Sequence, residues 1–254
     1  MKKYITELVV NYVKEYKLTE HSKTEWGKPL VGFADAGDSL FPKLKDIVRK
    51  EHIVPRDVLN NAETVISYFI PFSRNLVRTN KEGFNCSKEW AGAYIDTNNM
   101  MSDLNDYLVD KIRELNYDAS IVKWNFDQEK LLSDWSQRHV AYIAGLGTFG
   151  INNMLITDKG CCGRYGSIVT SMKIEPDKRP DIEFCLYKNN GTCKACVKHC
   201  VNGALKEDSF NRDKCFEMCR ANSDIYKEMG DPESCGKCLT FVPCTFINPI
   251  KGGC

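Results

Sequence analysis

No run of hydrophobic residues in this sequence is long enough to cross a bilayer. The longest apolar runs, such as that at 65–72, fall far short of the roughly 20 residues that a spanning helix needs. The amino terminus, MKKYITELVVNYVKEY, sets two lysines before apolar residues. Glu7 and Lys14 interrupt it, however, and no small-residue cleavage site follows, so the pattern of a signal peptide is missing. Ile5, Leu8, Val9, Tyr12 and Val13 recur at helical spacing and predict an amphipathic helix instead. Net charge is also absent: 35 Lys and Arg against 34 Asp and Glu leave +1. That balance gives no electrostatic reason to expect nucleic acid or an anionic membrane as a partner. Residues 181–254 hold ten charges of each sign, so no basic tail hides in the average. The expectation is a cytoplasmic protein with neither a membrane nor a nucleic-acid partner.

Cysteine is not scarce. The chain has 13, an odd number, which a reducing compartment explains poorly as disulfides and better as metal ligands. Residues 185–254 contain Cys185, Cys193, Cys196 and Cys200, then Cys215, then Cys235, Cys238 and Cys244. Eight thiols are what two [4Fe–4S] clusters take at four ligands each. In two-cluster ferredoxins the fourth cysteine of a C-x2-C-x2-C-x3-C run ligates the other cluster. Cys193, Cys196 and Cys200 reproduce the last three members of that run, while its first position falls on Asn190. Cys185 must then replace it through a longer loop. By this logic Cys185, Cys193, Cys196 and Cys244 form one set, and Cys200, Cys215, Cys235 and Cys238 the other. Cys219, four residues after Cys215, is the rival for its place. Two tetrahedral zinc sites are the alternative. A c-type haem is excluded, because Val197 rather than His follows Cys196. Cys86, Cys161, Cys162 and Cys254 have no assigned role, and His199 needs none.

Ahead of the cysteines, the pattern mixes helix and strand. Strands are predicted at 28–37, 63–72 and 119–125, and helix over 94–115 and 128–144. The Met100 and Met101 stripe reads as core. Residues 73–93, with Cys86 and Trp90, read as a polar surface loop. Residues 156–174 read as a β-hairpin with Cys161 and Cys162 at its tip, and DKRPD at 177–181 as a domain boundary. GLGTFG at 145–150 matches G-x-G-x-x-G, but a helix precedes it and a strand candidate follows. That is the reverse of the dinucleotide-binding order. The glycines allow close backbone approach to a flat ligand, or simply a tight helix-to-strand turn.

AGLGTFGINNMLI, then GSIVTSMKIEPD, then the double cysteine group together resemble epoxyqueuosine reductases and, more distantly, reductive dehalogenases. The resemblance covers 127–254 in order and content, and 1–126 in outline. It implies an α+β chain: a nitroreductase-like α/β corrinoid-binding domain at 1–180, followed by a ferredoxin-like double-cubane domain at 181–254. It further implies electrons passing through two [4Fe–4S] clusters to a cobalamin that reduces a small-molecule or protein-bound substrate, with a ferredoxin- or flavodoxin-type donor. Gly145, Leu146, Gly147, Phe149, Gly150, Gly166 and Ser167 would line the corrin. The family's V-D-T-A-P context is missing from LLSDWSQRHVAY, which leaves Asp134 and His139 as the nearest proton carriers. Ser167 stands where the family has an acidic residue, Val201 and Thr245 where it has prolines, and the helical repeats that hold tRNA do not follow. These departures point away from epoxyqueuosine in tRNA as substrate. The other reading is an electron-transfer protein that docks a corrinoid or flavin partner.

Overall fold

A computed structural model describes residues 1–16 and 24–252, so Cys254 lies outside the described residues. Helix α1 (Lys2–Glu15) is the predicted amphipathic helix, with Ile5, Val9 and Val13 buried on one stripe. It is followed by β1 (Leu30–Asp35), α2 (Leu40–Ile47), the short α3 (Pro55–Val58) and β2 (Thr64–Pro71). Then come α4 (Arg74–Thr79) and the long α5 (Lys88–Arg113). Ser73 and Ser87 begin these helices, their side chains accepting from the Leu76 and Trp90 N–H groups, as N-caps do. The segment read as a surface loop is thus helical at both ends, and Leu76, Val77, Cys86 and Trp90 are buried. Its serines, which looked like loop composition, are caps.

Further along lie β3 (Ala119–Ile121), β4 (Phe126–Asp127), β5 (Leu132–Ser133) and α6 (Gln137–Ile143). The long helix expected over 128–144 is therefore a small β4–β5 hairpin and a seven-residue helix. Leu131 takes φ +52° there, a conformation that a helix excludes. Strands β6 (Gly147–Phe149) and β7 (Leu155–Thr157) pair with each other, while β8 (Gly163–Thr170) enters the main sheet. The 156–174 hairpin is accordingly replaced by two strands in different sheets. Helices α7 (Leu186–Asn190), α8 (Ala195–His199) and α9 (Arg212–Ile225) follow, with single 3-10 turns at Lys227–Met229 and Lys237–Leu239; Cys196, Cys215, Cys219 and Cys238 lie on these elements and the remaining cysteines of 185–244 between or beside them.

The main sheet runs β1-β2-β8-β3, every pair antiparallel. All eight residues of β2 are buried, and the pleat sorts them by period two. Ile66, Tyr68 and Ile70 pack under α1 and α5 with Met100, Leu104, Leu108 and Ile112. Val65 and Phe69 face α2 and α6 on the opposite side. The result is a mixed α/β arrangement with a sheet covered on both faces.

A third core joins the cysteine-bearing segment to the rest. It contains Phe72, Val77, Cys86, Trp90, Cys161, Cys162, Phe184, Cys185 and Leu239. The 177–181 linker is strapped down as well: Asp177 exchanges backbone and side-chain hydrogen bonds with Phe33, and Arg179 pairs with Asp38 at 2.6 Å.

Candidate functional site

The cysteines fall into two groups. Cys185, Cys193, Cys196 and Cys244 line one hollow, together with Gly150, Asn152, Ile156 and Val242. Burial pushes the Cys196 thiol up to about 12, and the charges of Cys244, Cys185 and Cys193 add to it. The second group surrounds Cys238. Its thiol is raised first by burial, then by Cys235, Cys215, Cys200 and Cys196. Cys196 packs in one cluster with Cys200, Cys238 and Cys244, so the two groups adjoin. Among the described residues, no three His, Cys, Asp or Glu side chains are gathered for a single metal ion. In the first group the sulfurs surround a space rather than share a point.

Local structure fixes each thiol. Cys196 sits on α8 and Cys200 just past its end, where the Leu205 N–H donates to Cys200 Sγ at 3.2 Å. Cys215 and Cys219 lie one turn apart on α9. The Cys219 thiol donates to Cys215, lowering Cys215 to about 7 and raising Cys219. Cys244 is held by a turn at Thr245. Its hydroxyl accepts from the Val242 N–H at 2.9 Å and lies within donating reach of the Val242 carbonyl at 2.7 Å. A threonine in the proline position thus still builds a tight turn.

Two contributors were missed from the sequence. Lys237, between Cys235 and Cys238, is only 3% exposed. Its ammonium donates to the carbonyls of Asn80 (3.1 Å) and Glu82 (2.7 Å), and burial lowers its pKa. A buried cation seeks an anion, and Cys235 and Cys86 are the thiols beside it. Its position inside a C-x2-C pair was the available signal. Trp90 is the other. Gly236 has φ +72°, and a Cβ there would land on the Trp90 ring. The cysteine loop is therefore seated on the start of α5.

The residues expected at a corrin differ in burial and in neighbours. Gly145 takes φ +78°, where a side chain would meet the Lys178 carbonyl carbon at 3.2 Å. Beside Gly147 and Gly166 the space is filled by Ile156 and Tyr68. Gly150 meets Asn152 and Ile156. Ser167 is 1% exposed; its hydroxyl accepts from Trp135 Nε1 at 3.0 Å and donates to Gln137 at 2.7 Å. Leu146 and Phe149 stay half-buried, and with Leu30, Tyr142 and Met154 they form an apolar face over Phe69 and Tyr165.

Asp134 and His139 turn to different partners. The Asp134 carboxylate accepts the Asn125 N–H at 2.7 Å, beside the β4–β5 hairpin. His139 Nδ1 bonds Ser136 Oγ at 2.7 Å, and its ring lies 4.7 Å from that of Phe149. Burial lowers His139 to about 4, with Arg138 and His52 adding to the effect. Burial thus favours the uncharged ring over the imidazolium.

No family model and no curated protein matches the chain. Solved structures do. Epoxyqueuosine reductase from Streptococcus thermophilus aligns with TM-score 0.60 and 18% identity over 98% of this chain and 69% of its own. An epoxyqueuosine reductase with an epoxyqueuosine-modified tRNA-Tyr stem loop gives 0.58 and 20% over 96% and 66%. The fold is that of the epoxyqueuosine reductases. A catabolic reductive dehalogenase in complex with 3-bromo-4-hydroxybenzoic acid follows at 0.55 and 13% over 88% and 30%. The resemblance read from 127–254 therefore extends over nearly the whole chain. The chain spans about two thirds of the reductases' length and under a third of the dehalogenase's.

Proposed function

We propose that this protein is an iron–sulfur oxidoreductase that holds two [4Fe–4S] clusters and delivers electrons to an acceptor at the apolar face of Leu146 and Phe149. The observation that carries this reading is the gathering of Cys185, Cys193, Cys196 and Cys244 around one hollow, with Cys200, Cys215, Cys235 and Cys238 as the adjoining set. The donor chemistry fits such clusters. The Cys196, Cys235 and Cys238 thiols, raised by burial and by their neighbours, stay protonated unless a cation neutralises them. Cubane iron is such a cation, and each cubane takes four cysteine thiolates. When bound, the clusters supply one-electron transfer at a potential set by charge, hydrogen bonds and exposure. The chain's own part is to exclude water with Phe72, Trp90 and Leu239, to place the Lys237 ammonium beside Cys235, and to donate the Leu205 N–H to Cys200.

Within this reading, residues 1–180 are a nitroreductase-like domain and 181–254 a ferredoxin-like one. The donor is a low-potential ferredoxin or flavodoxin type, the substrate is a small molecule or protein-bound group, and the location is cytoplasmic. A cobalamin is the finer step that the sequence resemblance suggests, and the seven residues named for it do not fit it as one surface. Gly147 and Gly166 abut Ile156 and Tyr68, and Ser167 is sealed behind Trp135 and Gln137. The same observation favours a second reading, an electron-transfer protein that docks a corrinoid or flavin partner.

Anaerobic purification with metal analysis tests the first claim. About eight iron atoms per chain and a signal from reduced clusters are expected; colourless protein with two zinc ions would overturn it. Cobalamin titration separates the two readings. A shift of the added corrinoid to its base-off spectrum supports resident cofactor chemistry, and an unshifted spectrum supports the electron-transfer protein.

A further inference from the structure

Cys161 was left without work by the ligand assignment, yet it is fully buried against Cys244. The reason begins at Gly160, whose φ of +78° brings residues 160–162 flush with the 244–246 segment. A Cβ on Gly160 would fall on the Thr245 carbonyl. Only glycine occupies that position without strain. Two backbone rungs then lock the approach, Cys161 N–H to Cys244 O at 2.9 Å and Cys162 N–H to Thr245 O at 3.2 Å. The clamp sets Cys161 Sγ 3.8 Å from Cys244 Sγ. On its other side, Asn152 Nδ2 lies 4.0 Å from Cys161 Sγ.

These contacts have a direction. An amide nitrogen only donates, so Cys161 sulfur accepts from Asn152 and keeps its own S–H for Cys244. Asn152 is itself fixed, its Oδ1 accepting the Met154 N–H at 3.2 Å. Cys161 is not among the residues lining the hollow, whereas Cys244 and Asn152 are.

We propose that Cys161 is a positioning residue whose S–H hydrogen bond to Cys244 raises the reduction potential of the cluster held by Cys185, Cys193, Cys196 and Cys244. The inference rests on the cluster reading above. Reduction adds negative charge to the cluster and its thiolates. A hydrogen-bond donor on one of those sulfurs stabilises the reduced form more than the oxidised form.

The test uses the full chain, purified or reconstituted anaerobically, with iron content and a redox titration followed by electron paramagnetic resonance. Cys161→Ala should keep the full iron content, with one of the two potentials shifted to more negative values and the other unmoved. Cys161→Ser, which retains a hydroxyl donor, should bring the shifted potential back toward wild type. Unchanged potentials in Cys161→Ala with iron intact would overturn the inference while leaving the cluster reading in place. Loss of half the iron in Cys161→Ala, with iron retained in Cys244→Ala, would also overturn it by making Cys161 the ligand. Wild-type chain without iron would instead overturn the cluster reading on which the inference stands.

Discussion

His139 shows how burial decides what a titratable residue can do. Its folded value of about 4, against 6.5 unperturbed, is lowered mainly by desolvation. A depressed value means that the unfolded chain binds the proton first as pH falls. The neutral ring is therefore tolerated fully above pH 6.5, and stability declines as pH drops from 6.5 toward about 4. Urea midpoints measured across that window should fall, and His139→Gln should flatten the fall; parallel curves for both proteins would show that the ring does not titrate this way. Two glycines make a second comparison at the same scale. Gly191 has φ +76° with nothing within 4 Å of a Cβ, whereas Gly236 has φ +72° and the Trp90 ring in the way. An alanine at 191 carries only backbone strain, roughly 1 kcal/mol, as at left-handed positions generally. At 236 it should cost clearly more, because the loop must also lift off Trp90; equal unfolding free energies would contradict this packing.

Among the elements, the 80–86 loop and the Lys237–Leu239 turn act as one unit. Lys237 donates to two carbonyls of the loop, and Asn80 donates to the Cys235 carbonyl at 2.9 Å. Asn222 on α9 closes the unit by accepting the Cys86 N–H and donating to Ser234. Lys237→Met keeps volume but strands two carbonyls, at about 1–3 kcal/mol for each buried group left unpaired. Amide exchange should therefore quicken over residues 80–86 and 235–239 while β2 and β8 stay protected. The sequence made some elements plain and hid others for physical reasons. α1, α5 and β2 showed through because long periodic apolar patterns survive any tertiary context. The 128–144 stretch misled because LLSDW has helical residues, but Leu131 and the Asn125–Asp134 bonds turn it into a hairpin. β7 and β8 looked like a hairpin because the turn at Gly160 is real; which sheet each joins depends on β6 and β2, far away in sequence. Cys161 was invisible as a partner of Cys244 for the same reason, since 83 residues separate them.

Over the whole molecule, the cysteine segment has little core of its own. It shares one with Phe72, Val77 and Trp90, and its helices α7 and α8 are five residues each. Helices that short do not persist without tertiary support. On the proposed ligand sets, thiols drawn from 185–200 and 215–244 would cross-brace the segment, which would link metal to fold. Removing iron with a chelator under reducing conditions should expose Trp90, read as a red shift in tryptophan emission, while the circular dichroism of the α1–α5 and sheet core largely persists. Unchanged emission after complete iron loss would show that the segment stands without metal. The most direct measurement is a metal count on two single variants, one for each thiol set. Cys196→Ser and Cys235→Ser should each retain about half of the wild-type iron, about four atoms per chain, with the signal of a different cluster surviving in each. Full iron in both, or zinc in place of iron throughout, would contradict the pair of clusters on which this account rests.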